Sequence, residues 1–158
     1  MKKLIFCFLF FYNTVFAIEV KCDFEEVYQN GDVQQGFFLL KDQMLRYQYF
    51  NEDLYTIIAK DDYYFLINNF NNKTVQKITE NTEAIQSLIK ISSKFPDIKN
   101  QYEQNNMKIK IEKNSKNFIK RIAIISDEIN LSINILNCDF KKINKKYFKP
   151  FSFEKYEE

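Results

Sequence analysis

Few residues in this 158-residue chain have the type and spacing that chemistry requires. There is no histidine, which removes the usual general base and the commonest zinc ligand. Acidic pairs stand at Glu52-Asp53 and Asp61-Asp62. Each lies in a polar stretch between apolar runs, where a solvated hairpin turn explains it better than the paired carboxylates of a glycosidase. Lys141, Lys142, Lys145 and Lys146 form a basic run able to touch anionic headgroups, and a solvated loop is again the simpler account. With only Gly31 and Gly36 present, neither a dinucleotide-binding G-x-G-x-x-G nor a P-loop can be written. The chain therefore reads as a non-enzyme that needs no metal and no cofactor.

Cysteine offers one covalent possibility. Cys22 and Cys138 lie near opposite ends of the chain, too far apart in sequence for a C-x-x-C redox pair. In an oxidising compartment they can bridge, and closing so long a loop contributes roughly 4 kcal/mol in the loop-entropy model. Two reduced core cysteines are the alternative, because sequence alone does not bring their alpha carbons within bridging distance.

The N-terminus bears on that compartment. Lys2 and Lys3 precede an apolar run from Leu4 to Tyr12, and Val15-Phe16-Ala17 ends the segment with compact residues at 15 and 17. These are the parts of a cleavable secretory signal, expected over residues 1–17. As a helix the run is about 14 Å long, against roughly 30 Å of bilayer hydrocarbon, which disfavours a retained anchor. Cleavage leaves residues 18–158 as a single domain of 141 residues. Of the 23 basic and 21 acidic residues, Lys2 and Lys3 leave with the signal, so the remainder is formally neutral and nucleic acid is not an expected partner.

Positioning these residues falls to a sheet. The chain holds 17 Phe and 10 Tyr but only two Gly and two Pro, a composition that favours strands. Short apolar runs at 24–29, 33–40, 44–50, 54–59, 63–68 and 73–78 are separated by polar turns, beginning with Asn30-Gly31-Asp32. Tyr63 to Ile67 is apolar on both sides of its alternation, so both faces want cover or one lines an apolar cavity. Residues 82–95 place Ile85, Leu88, Ile89 and Ser92 at helical spacing, with Asn81 as cap and Pro96 as stop. A polar link through Asn106 follows, then strands at 107–111, 118–125 and 129–135. A tail strand from Tyr147 to Phe153 ends the series. The expected fold is mainly β with a covering helix, an α+β arrangement of one strongly curved antiparallel sheet.

The order of these segments resembles the LolA-like periplasmic carriers of outer-membrane lipoproteins. Gly36-Phe37-Phe38-Leu39-Leu40-Lys41 is similar to that family's G-x-F-x-L strand, and Leu45-Arg46-Tyr47-Gln48-Tyr49 to its aromatic strand. Ile57 to Asp62 stands where the family has I-V-S-D-G, Tyr63 to Asn68 where it has L-W-x-Y-N, and Phe151 and Phe153 resemble the terminal F-x-F. The resemblance implies an incomplete barrel with an internal helix as lid, a periplasmic location and a monomer. Its implied function is to hold lipoprotein acyl chains in an apolar cavity for transfer to the outer membrane. An inner-membrane release complex, an outer-membrane acceptor and transient membrane contact come with it.

Phe37, Leu39, Leu45, Tyr47, Tyr49, Ile57, Phe65, Ile67, Ile85, Leu88 and Ile89 are the expected cavity residues. Two departures favour the alternative of a non-enzymatic envelope module binding another lipid, apolar ligand or protein. No long helix precedes the first strand, and the family's basic turn is Asp42-Gln43, with Arg46 nearby.

Overall fold

The computed structural model describes residues 18–150 except 61, 72–73, 80–82, 96, 105 and 128–129. The expected signal, the helix cap Asn81, the stop Pro96 and the terminal Phe151 and Phe153 lie outside the described residues.

Six strands come first: β1 (Glu19–Tyr28), β2 (Val33–Lys41), β3 (Met44–Tyr49), β4 (Tyr55–Lys60), β5 (Tyr63–Asn68) and β6 (Val75–Ile78). The helix α1 (Glu83–Ser92) separates them from β7 (Gln101–Gln104), β8 (Met107–Lys113), β9 (Ile119–Ile125) and β10 (Asn130–Asp139). All ten join one antiparallel sheet in the order β6-β5-β4-β3-β2-β1-β10-β9-β8-β7. The fold is thus mixed α+β, with β6 and β7 at the ends of the sheet and, among the described residues, no pairing between them.

Turn chemistry sets the register. Gly31 takes the left-handed conformation (φ 88°) that the first hairpin needs, and Asp32 N–H donates to the Asn30 side chain at 3.0 Å. Lys41 pairs with Met44 and Lys60 with Tyr63, leaving tight turns in which Asp42 and Asp62 adopt positive φ. Asn106 and Asn117 do the same. Asp and Asn tolerate this region better than other side chains, so Asp42 and Asp62 both serve turns.

Register then sorts side chains onto two faces. Val20, Leu40, Leu45 and Ala59 share one face with Cys22, Phe38, Tyr47 and Ile57, and with Phe24, Gly36 and Tyr49. Ile133, Ile122 and Ile111 continue this inner face across β10, β9 and β8. Here lies the main apolar cluster, against which Ile85, Leu88 and Ile89 of α1 pack. Ile91 of α1 is buried in it outright, so the apolar stripe of the helix is wider than the 85-88-89-92 spacing suggests.

The outer face of β2 and β3 carries a second cluster of Phe37, Leu39 and Met44 with Ile143 and Phe148. After β10 the chain crosses to this side as a strap. Lys41 Nζ donates to Glu19 Oε1 at 2.9 Å and to the Ile143 carbonyl at 2.7 Å, while Ile143 N–H donates to Glu19 Oε2 at 2.7 Å. Arg46 Nη1 donates to the Tyr147 carbonyl at 3.1 Å.

Two expectations are corrected. Lys145–Phe148 is a 3-10 turn capped by Asn144, where a strand from Tyr147 was expected. Phe148 reaches full burial from this turn without a strand neighbour. The link before Met107 contains β7, which pairs with β8 and packs Tyr102 against the main cluster.

Candidate functional site

The inner face of β1 to β3 is an aromatic wall. Phe24 and Tyr47 stack with ring centroids 4.1 Å apart, and Tyr49 meets both edge-on at 5.7 and 5.6 Å. Such pairs contribute about 0.5–1.5 kcal/mol each beyond area burial. Gly36 makes room for the wall: a Cβ there would stand 2.6 Å from Phe24 Cζ and collide with the Gln48 carbonyl. The second glycine of the chain is therefore a packing requirement.

Beside the wall sits Glu26, only 4% exposed. Tyr47 donates its hydroxyl to Oε1 at 2.6 Å, and Tyr28 and Tyr49 donate theirs to Oε2 at 2.7 and 2.8 Å. Three phenols thus satisfy one buried carboxylate. Burial and then the Glu26 charge hold the phenols of Tyr47 and Tyr49 well above the ordinary tyrosine value. Burial followed by the hydrogen bond to Glu26 pushes Tyr28 up to about 12.

The helix α1 packs on the same apolar cluster. Ile85, Leu88 and Ile89 face the apolar cluster, and Gln86 shares a side-chain hydrogen bond with Tyr64 of β5. Between α1 and strands β7 and β8 a small pocket of about 140 Å³ is lined by Ser87, Ile91, Tyr102 and Ile109. On its other side an open cleft of about 1050 Å³ is lined by Met44, Ala59 and Ile89 together with polar residues, the charged ones being Lys60, Lys90, Lys145, Asp42 and Asp62.

The expected cavity residues do not share one face. Leu45, Tyr47, Tyr49 and Ile57 lie on the inner face with Ile85, Leu88 and Ile89 packed against the same cluster. Phe37 and Leu39 point to the outer face and are buried under the strap. Phe65 and Ile67 share that outer side by register, Phe65 opposite Ile58 and Ile67 opposite Thr56. Arg46 also faces outward, where it donates to Gln48 Oε1 at 3.0 and 2.8 Å, so it stands on the side of the sheet away from α1.

Cys22 and Cys138 form a disulfide between directly opposed residues of β1 and β10, with alpha carbons 4.1 Å apart. Glu52, Asp53 and Asp62 are exposed in turns, and Lys141 pairs with Asp139 at 3.0 Å. Among the described residues no group of three or more His, Cys, Asp or Glu side chains is placed to hold a metal ion.

Glu26 was the residue that sequence reasoning missed. Its only signal is parity: it continues the alternation Val20, Cys22, Phe24 onto the buried face. Neither the protein-family models nor the curated proteins compared with this chain give a match.

Proposed function

We propose that this protein is an exported, non-enzymatic carrier of acyl chains, built as an incomplete barrel of the LolA-like kind with α1 as its lid. The observation that carries this reading is how α1 is held. It packs against a cluster of aromatic and branched aliphatic side chains by apolar contact, with Gln86 and Tyr64 bonded at one margin. The strands that flank it in the chain, β6 and β7, sit at opposite ends of the sheet order. Lifting α1 therefore breaks no strand ladder and exposes surface suited to acyl methylenes, each worth about 0.8 kcal/mol when shielded from water.

In this reading the cargo is a lipoprotein, received from an inner-membrane release complex and passed to an outer-membrane acceptor of higher affinity. Transfer follows from differential binding to the open and closed forms. The protein acts as a periplasmic monomer with transient membrane contact, and the Cys22–Cys138 bridge suits that compartment. Arg46 faces away from α1, so lid closure here relies on a different set of contacts from the arginine network of the family it resembles.

A second reading, a module of the same fold for another amphiphile, is favoured by the open cleft beside α1, where Met44, Ala59 and Ile89 stand among Lys60, Lys90, Lys145, Asp42 and Asp62. The test is direct. Residues 18–158, purified and delipidated, are mixed with a triacylated lipopeptide. The carrier reading expects a soluble one-to-one complex, and a lipopeptide that stays aggregated overturns it. Mass spectrometry of lipids that copurify with the protein separates the two readings.

A further inference from the structure

We propose that the tips of the β3–β4 and β5–β6 hairpins form a membrane-docking edge that seats Phe50 and Phe70 in the interface of a lipid surface without net charge. This rests on the membrane contact of the carrier reading and names the part of the molecule that makes it.

Phe70 is 78% exposed and Phe50 61%, more than any other large apolar side chain among the described residues. Exposed apolar residues scattered singly need no explanation. These two are held side by side. Strands β3 and β5 run towards the same end of the sheet, so both hairpins turn there. Asn69 Nδ2 donates to the carbonyls of Tyr49 and Asn51, one on each side of Phe50 and both at 3.1 Å, and Phe70 follows Asn69 directly. Asn69 N–H donates to the Leu54 carbonyl at 3.0 Å, and its Oδ1 accepts from Thr56 at 2.7 Å. One asparagine thus ties the two tips into a unit.

The polar groups of these tips are bonded within them. Entry into a lipid interface strips water from backbone groups, which is costly unless they have partners. Asp53 N–H donates to the Asn51 side chain at 2.9 Å and Leu54 N–H to the Asn51 carbonyl at 3.2 Å. Asn71 N–H donates to the Asn68 side chain at 2.9 Å, and Thr74 N–H to the Asn71 carbonyl at 2.9 Å. The turns therefore carry their aromatic rings forward without stranding these donors. Tyr55, 42% exposed, opens β4 just behind the first tip, and amphipathic rings of this kind favour the membrane–water boundary. The charge of the tip selects the lipid. Glu52 and Asp53 are exposed in the β3–β4 turn, where an anionic leaflet repels them and a zwitterionic one does not.

The experiment is flotation of the full mature chain with vesicles of phosphatidylcholine, and with vesicles of equal parts phosphatidylcholine and phosphatidylglycerol. The wild type is expected to float with the first and several-fold less with the second. Phe50→Ser combined with Phe70→Ser is expected to lower flotation with phosphatidylcholine by roughly tenfold or more. Glu52→Gln combined with Asp53→Asn is expected to raise binding to the mixed vesicles by roughly fivefold or more. The chain has no tryptophan, so Phe70→Trp supplies a single reporter whose emission is expected to shift to the blue on phosphatidylcholine. A wild type that floats with neither vesicle, or only with the mixed one, overturns the proposal. So does a double serine variant that floats like the wild type, or a Phe70→Trp emission that stays put while the protein floats. Uptake of the lipopeptide in solution involves no vesicle, so each of these failures leaves acyl carriage standing.

Discussion

The sheet is covered on both faces, and the two covers are fastened differently. On the outer face the strap sinks Ile143 and Phe148 into an apolar cluster and then locks its backbone with Glu19, Lys41 and Arg46. On the inner face α1 buries Ile91, packs half-buried Ile85, Leu88 and Ile89 on the main cluster, and adds a bond between Gln86 and Tyr64 at its margin. Directional bonds to backbone atoms hold a segment in one place. Apolar contact holds it near a surface while tolerating displacement. The strap is fastened by directional bonds, and α1 chiefly by apolar contact.

Four measurements bear on that contrast, the first expected to move stability most. Phe148→Ala empties a fully buried site and is expected to cost about 3–5 kcal/mol in urea unfolding. A loss under 1 kcal/mol would mean that the strap lies loosely after all. Lys41→Met removes the donor shared by Glu19 and the Ile143 carbonyl, with an expected loss of about 2 kcal/mol by the same assay. Leu88→Ala trims only a half-buried side chain of α1, so about 1 kcal/mol is expected, together with faster hydrogen exchange confined to residues 83–92. If the exchange of the whole sheet quickens, α1 is part of the cooperative core and the contrast fails.

The smallest effect is a pH dependence. The Ile143 N–H, and then Lys41, hold the Glu19 carboxyl below its usual value. As pH falls the unfolded chain takes up this proton first. The contribution is therefore complete above the unfolded value near 4.5 and drains away as pH drops through the lower folded value. Urea midpoints of wild type and Glu19→Gln are expected to differ at pH 6 and to converge towards pH 3. A constant gap would assign Glu19 a role other than this charge.

Much of the meander was legible because its turns carry their own chemistry. Asn30-Gly31, Asp42 and Asp62 mark left-handed positions that few other residues occupy, and the strands between them came out within a residue or two. Helix α1 was legible from the spacing of Ile85, Leu88 and Ile89. The faces were not. In β2 the neighbours Phe37, Phe38, Leu39 and Leu40 are all apolar, so alternation cannot say which pair looks inward, and the strap makes both directions acceptable. That is why Phe37 and Leu39 were grouped with Tyr47 when they lie on the other side. β7 stayed hidden because Gln101–Gln104 has a single apolar residue, Tyr102. Glu26 follows another glutamate and looks solvated until tyrosines 21 and 23 residues away are folded onto it.

The bridge between Cys22 and Cys138 also has a consequence for how the chain is made. Its halves are 116 residues apart, on the first strand and the last. Synthesis from the N-terminus at roughly 5–20 residues per second leaves Cys22 waiting on the order of 6–23 s for its partner. Throughout that interval β1 can pair with β2 on one side while its other edge stays open to any passing strand. Pairing of β10 with that edge sets the two cysteines directly opposite each other, within bonding distance. The bond thus fixes covalently a strand pairing that only a nearly full-length chain can make.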